Sequence, residues 1–229
     1  MPVWICATCA NHYPEAPSPP GVCVICADER QWVPASGQRW TTAGELAAAG
    51  HRGDVREVEP GLLGIGVDPP VAIGQRALLV TTAEGNLLWD PPGYLDELSV
   101  QAVADAGGLR AVTASHPHFY GSMADWSRVF DAEVLLCEAD LGWLTRPPER
   151  PPATWSGSLE VLPGVTLVQC GGHFPGSAVV HWAAGAGGRG VLLTGDSVFP
   201  NPDRRSIAFM RSYPNHLPLS GGVALRIAA

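Results

Sequence analysis

Residues 115–121 read SHPHFYG, and they stand between two stretches of different periodicity. Upstream, Ala111 to Ser115 is short and apolar, as a strand is. Downstream, Ser122 is placed to cap a helix running to Phe130, with Asp125 in its first turn. His116 and His118 therefore project from a loop at a strand end, where α/β folds collect their ligand residues. Two imidazoles one residue apart reach a common ion when the backbone between them is extended, and Pro117 favours that shape.

Further along, QCGGHFPG holds His173 among Gly171, Gly172 and Gly176, whose backbones are free to approach an ion closely. LLTGDSVFP holds Asp196 where another strand-like stretch, Val191 to Thr194, ends. Three neutral imidazoles and one carboxylate suit zinc or iron. Strand patterns also cover Leu62 to Val67, Ala77 to Thr82, Asn86 to Asp90, Glu133 to Cys137, Val165 to Gln169 and Ser177 to Trp182. Asp96 to Ala106 has helical spacing ended by Gly107-Gly108, and the stretch from Pro218 onward also reads as helix. Strands first, then strands and helices in alternation, indicate an α/β domain with a mixed sheet.

The N-terminus carries different chemistry. Cys6 and Cys9 form one C-x-x-C and Cys23 and Cys26 another, thirteen residues apart. Two such turns complete a tetrahedral four-sulfur site that suits structural zinc, with no position left for substrate. Between them the Pro-rich stretch NHYPEAPSPPGV is expected to be a loop without a core of its own, so the zinc would supply the missing folding free energy. His12, in that loop, reads as a solvated bystander. The expected division is a zinc-ribbon-like segment at 1–35 and an α/β domain at 36–229.

The order of Asp90 after a strand, the paired histidines, the Gly-rich lone histidine and the TGD motif resembles the metallo-β-lactamase fold superfamily, over about Leu62 to Asp203. With the N-terminal cysteines and the GQRW segment at Gly37 to Trp40, the layout is similar to a bacterial branch of uncharacterised hydrolase-like proteins. The resemblance implies an αββα sandwich with a metal site at one edge of its two sheets. It also implies hydrolysis of a small ester, thioester, lactone or lactam by a metal-bound hydroxide, with Asp90 supporting the site without binding the ion.

Two departures qualify it. The superfamily's loop is usually H-x-H-x-D-H, and its last two positions are here Tyr120 and Gly121. Those positions normally hold a second metal, so a mononuclear site is expected, held by His116, His118 and His173 with Asp196 as fourth ligand or close neighbour. Asp196 is also a candidate for orienting the attacking water, and Tyr120 for donating a proton to the leaving group. The chain also reads as C-terminally short, without the superfamily's further strand and final histidine. His216 is weighed as a replacement, against the plainer reading of a surface residue. A sheet edge left open in this way would suit a homodimer. The alternatives are a non-catalytic metal-binding relative, and a non-hydrolytic iron-dependent enzyme on the same fold.

Composition sets outer bounds. The chain has 229 residues, 46% hydrophobic and 16% charged, enough for one sizeable core. A net charge of -8 repels phosphate, so neither nucleic acid nor an anionic membrane is an expected partner, and a small-molecule substrate is. No leader and no apolar run of roughly 20 residues is legible, so a cytoplasmic location is expected. That reducing compartment favours metal over disulfide at the cysteines.

Overall fold

Two sheets packed face to face carry the chain, and a third, smaller sheet holds its N-terminus. The computed structural model describes residues 1–229. Strand β1 (Val3–Cys6) pairs antiparallel with β2 (His12–Glu15) on one side and β3 (Trp40–Thr41) on the other. Helix α1 (Ala43–Ala48) starts with a capping box between Thr42 and Glu45. Next, β4 (Arg52–Glu59), β5 (Leu62–Asp68), β6 (Ala77–Thr82) and β7 (Gly85–Trp89) form an antiparallel meander.

Parallel crossovers follow. Helix α2 (Glu97–Asp105), capped by Asp96 accepting from the Ser99 amide, leads to β8 (Ala111–Thr113). Helix α3 (Met123–Phe130) leads to β9 (Glu133–Cys137), and β10 (Ala153–Trp155) closes the edge. The seven-stranded sheet has the order β10-β9-β8-β7-β6-β5-β4. A second meander, β11 (Ser158–Leu162), β12 (Val165–Gln169), β13 (Ala178–Trp182) and β14 (Val191–Leu193), makes the four-stranded sheet.

Alternation along the strands decides what each face meets. Leu62, Val80, Leu87 and Trp89 point between the sheets and meet Val165, Leu167, Val180 and Trp182 of the facing sheet. Ile65, Leu79, Leu88 and Val112 point the other way, onto Val103 of α2 and Met123 and Trp126 of α3. Each such fully buried side chain contributes about 1.5–3 kcal/mol. The result is the α/β sandwich that the resemblance implies. The closing helix Gly221–Ala228 packs beside the Gly171-Gly172 loop, where a Cβ at Gly172 would meet Ile227 and Leu219 side chains. No helix is long and apolar enough to cross a membrane.

The expected strands are found to within two residues, and six more of the labelled strands appear: β1, β2, β3, β4, β10 and β11. β4 carries charge on both faces and is nowhere fully buried, because it is the sheet's edge, so no apolar alternation marks it. β2 lies inside the expected Pro-rich loop. Its Pro14 falls at a register shift of an edge strand, where the missing N–H costs no ladder bond. β10 is three residues long and follows a proline run.

Candidate metal centre

Three strand ends deliver the histidines and the aspartate to one point. His116 follows β8 with extended backbone (φ -169°, ψ 171°), but Pro117 to Phe119 then form a 3-10 turn instead of the extended link expected. Pro117 fits that turn because a first helical position needs no N–H. His173 enters from the loop between β12 and β13, and Asp196 from the loop after β14. The ring centroids of His116 lie 4.7 Å from both His118 and His173, and those of His118 and His173 are 5.2 Å apart. Side-chain ligand atoms of the three histidines and Asp196 all lie within 4.8 Å of one another.

Glycine at 195 is required for this convergence. Its φ is +49°, and a Cβ there would stand 2.2 Å from Ser115 Oγ. Asp196 can reach the histidines only because the chain passes Ser115 this closely.

The histidines are 1%, 3% and 0% exposed, and the Nε2 of each is buried with no hydrogen-bond partner. Buried acceptors without partners are costly unless a cation satisfies them, and those of His116 and His173 face the Asp196 carboxylate. Orientation comes from the other nitrogen. His116 Nδ1 lies 2.8 Å from Ser115 Oγ, whose own proton goes to Asp90 Oδ2 at 3.1 Å. His173 Nδ1 donates to the Met210 carbonyl at 3.2 Å. Each arrangement puts the proton on Nδ1 and leaves the Nε2 lone pair free.

Asp196 Oδ2 is 3.5 Å from His116 Nε2 and 3.7 Å from His173 Nε2. A tetrahedron with arms of about 2.1 Å has an edge of roughly 3.4 Å, so the spacing fits one zinc- or iron-sized ion. Burial, aided by the other imidazoles, holds His116 and His118 well below the usual histidine range, and burial lowers His173 to about 4. Burial also raises Asp196 to about 6. At neutral pH the set is therefore three neutral imidazoles and one carboxylate. Burial lifts Asp90 to about 7, opposed by the amide and hydroxyl of Ser115 that donate to it.

Cys6, Cys9, Cys23 and Cys26 form the second cluster, all buried and none in a disulfide. Cys6 and Cys26 sulfurs are 3.6 Å apart, as are those of Cys9 and Cys23. Zinc–sulfur arms of about 2.3 Å give a tetrahedral edge of roughly 3.8 Å, so this geometry fits a four-sulfur site. Gln38, Tyr13 and Asn11 donate to Cys6, Cys23 and Cys9 respectively.

Residues 72–223 match the family model described as the metallo-beta-lactamase superfamily. The chain belongs to this superfamily. It is 40% identical over 231 residues to the uncharacterised protein YmaE of Bacillus subtilis strain 168, across 100% of this chain and 84% of that one. Among solved structures it resembles TTHA1623 in a di-iron-bound form, with 23% identity, 68% and 80% of the two chains covered and a TM-score of 0.49. It also resembles a metallo-β-lactamase from Cronobacter sakazakii, with 20% identity and a TM-score of 0.47. That match covers 61% of this chain and only 63% of the other.

Against the superfamily's loop, Tyr120 and Gly121 fall in places the sequence did not disclose. Tyr120 is 2% exposed among the helix-side core residues, and burial raises its phenol well above the usual range. It packs with that core and does not line the cleft that opens onto His118 and Asp196. Gly121 lies against the Ala10 carbonyl. His216 is exposed and stays out of the cluster. His12 is no bystander: it is 4% exposed, with Nε2 3.0 Å from the Gly93 carbonyl and Nδ1 3.2 Å from Asp125 Oδ2. Arg30 also reaches the site: its guanidinium lies 4.0 Å from the centroid of the Phe174 ring, which borders all three histidines. No local pattern marks either residue, since the partners of both lie far along the chain.

A cleft of about 380 Å³ opens onto His118 and Asp196, walled by Ile73, Phe119, Phe199 and Tyr213, with Gln75 and Arg76 at its polar side. Asp203 and Arg205 belong to an exposed turn and do not line it.

Proposed function

We propose that this chain is a hydrolase that uses one zinc or iron ion on a small ester, thioester, lactone or lactam. The observation that carries the reading is that one ring nitrogen from each of three buried histidines converges with one carboxylate, while the Nε2 atoms have no hydrogen-bond partner. His116, His118 and His173 would hold the ion, with Asp196 as the fourth ligand. When bound, such an ion supplies a nucleophilic water near neutral pH and a Lewis acid for a carbonyl oxygen. The chain's own contribution is to keep the imidazoles neutral by burial and to fix the tautomers of His116 and His173 through Ser115 and Met210. Asp90 acts through Ser115 and touches neither ion nor substrate.

A single ion is favoured because the two loop positions that would serve a second are a core tyrosine and a glycine. Ile73, Phe119 and Phe199 would take the apolar body of the substrate, and the Gln75 and Arg76 side would take its polar end. Cys6, Cys9, Cys23 and Cys26 would hold a structural zinc, which six free thiols in a reducing cytosol would favour.

The test combines metal analysis with turnover. Anomalous scattering at the zinc and iron edges counts and identifies the ions. A panel of chromogenic esters, thioesters, lactones and β-lactams then compares wild type with His118→Ala. The expected result is one ion per histidine cluster, with metal and turnover lost together in the variant. Turnover by the metal-free variant rejects the reading.

A further inference from the structure

We propose that Asn11 and Gln75 are positioning residues through which the four-cysteine knot sets the place of His118. His116 and His173 are each oriented by a hydrogen bond that Nδ1 donates, to Ser115 Oγ and to the Met210 carbonyl respectively. His118 has no such ring partner, and its backbone carbonyl is held instead. Asn11, wholly buried, donates from Nδ2 to Cys9 Sγ at 3.7 Å, to the Pro117 carbonyl at 3.3 Å and to the His118 carbonyl at 3.4 Å. Gln75 donates from Nε2 to the Cys9 carbonyl at 3.0 Å and to the His118 carbonyl at 2.9 Å. Both amides thus join Cys9 to His118.

Packing keeps the joint close. Ala10, with φ +61°, turns the chain between Cys9 and Asn11 and is 1% exposed. A Cβ at Gly93 would stand 2.2 Å from the Ala10 Cβ, and one at Gly121 would stand 2.3 Å from the Ala10 oxygen. Both glycines are therefore needed for the knot to seat on the histidine loop. A segment of this size holds its shape through its metal, so order at Cys9 is transmitted to His118 and, by linkage, order at His118 to Cys9. The superfamily's loop places two ligands after the histidine pair, and this chain seats the N-terminal knot at that point.

This proposal rests on the reading that the histidines hold an ion. It is tested with zinc kept in the four-cysteine site and cobalt titrated into the histidine site, read by its visible absorption. Protection of four thiols from a thiol reagent reports that the knot stays loaded. Asn11→Ala and Gln75→Glu, the second keeping shape while removing the donor, are expected to weaken cobalt binding about tenfold or more with four thiols still protected. Asn86→Ala is the control for plain destabilisation. That buried amide bonds the Ala106 and Gly108 carbonyls, remote from the histidines. It should lower the unfolding temperature and leave cobalt affinity within twofold of wild type. Wild-type affinity in both knot variants overturns the proposal alone, as does an equal loss in Asn86→Ala. No cobalt in the wild-type histidine site overturns the metal reading and this proposal with it.

Discussion

Gly121 has no Cβ where one would stand 2.3 Å from the carbonyl oxygen of Ala10. The neighbour is backbone held inside the cysteine knot, so it cannot swing away as a side-chain end would. Gly121→Ala is therefore expected to destabilise the fold by about 1–3 kcal/mol, as overpacking does. Denaturant unfolding of the zinc-loaded protein measures this, and a midpoint equal to wild type would show that the knot is not seated here.

Ser115 links Asp90 to His116 by donating its hydroxyl proton to Asp90 and accepting from His116 Nδ1. Ser115→Ala removes both bonds, freeing the imidazole to change tautomer. Outer-shell losses of this kind cost about 10–100-fold in metal affinity. A chelator-competition titration checks it, and an unchanged affinity would mean that packing alone orients the ring.

Metal affinity should depend on pH through Asp196. Its carboxyl is raised to about 6, so below that pH a binding ion must displace a proton, and affinity falls as pH falls. Above pH 6 the carboxylate is already ionised. The imidazoles add little in this range, since His173 is lowered to about 4 and the other two further still. Apparent affinity should thus drop about tenfold per pH unit below 6 and level off above it. A steeper fall, beginning near 6.5, would indicate that the histidines titrate as free imidazoles.

His12 fastens the knot to α3 through Asp125 and to the loop after β7 through Gly93. His12→Ala leaves Asp125 its two bonds from Arg146, so no carboxylate is stranded. The loss is the two imidazole bonds and their packing, about 1–3 kcal/mol. Thermal unfolding gives the number. A change below about 0.5 kcal/mol would return His12 to the solvated role its sequence setting suggested.

Much of the sheet scaffold was legible because strand alternation is local. Ala77–Thr82, Glu133–Cys137 and Val165–Gln169 match their expected bounds, each being flanked by turn residues and half or wholly buried. Arg52–Glu59 was not legible, since an edge strand with charge on both faces shows no period. His116, His118, His173 and Asp196 were legible as strand-end ligands in a familiar order, and all four come together. Tyr120 stands next to them in sequence, yet it turns into the helix-side core.

The sequence by itself determined which residues have metal chemistry and which strand ends carry them, because spacing and alternation act within a few residues. Only the tertiary structure decided that Asn11 and Gln75 join the two clusters, that His12 is buried and that Tyr120 packs as core. Those outcomes depend on contacts such as Asn11 with His118, 107 positions apart, and Thr145 with His12, 133 apart. At such separations a side chain's surroundings are set by how sheets and loops close on one another, which no local pattern encodes.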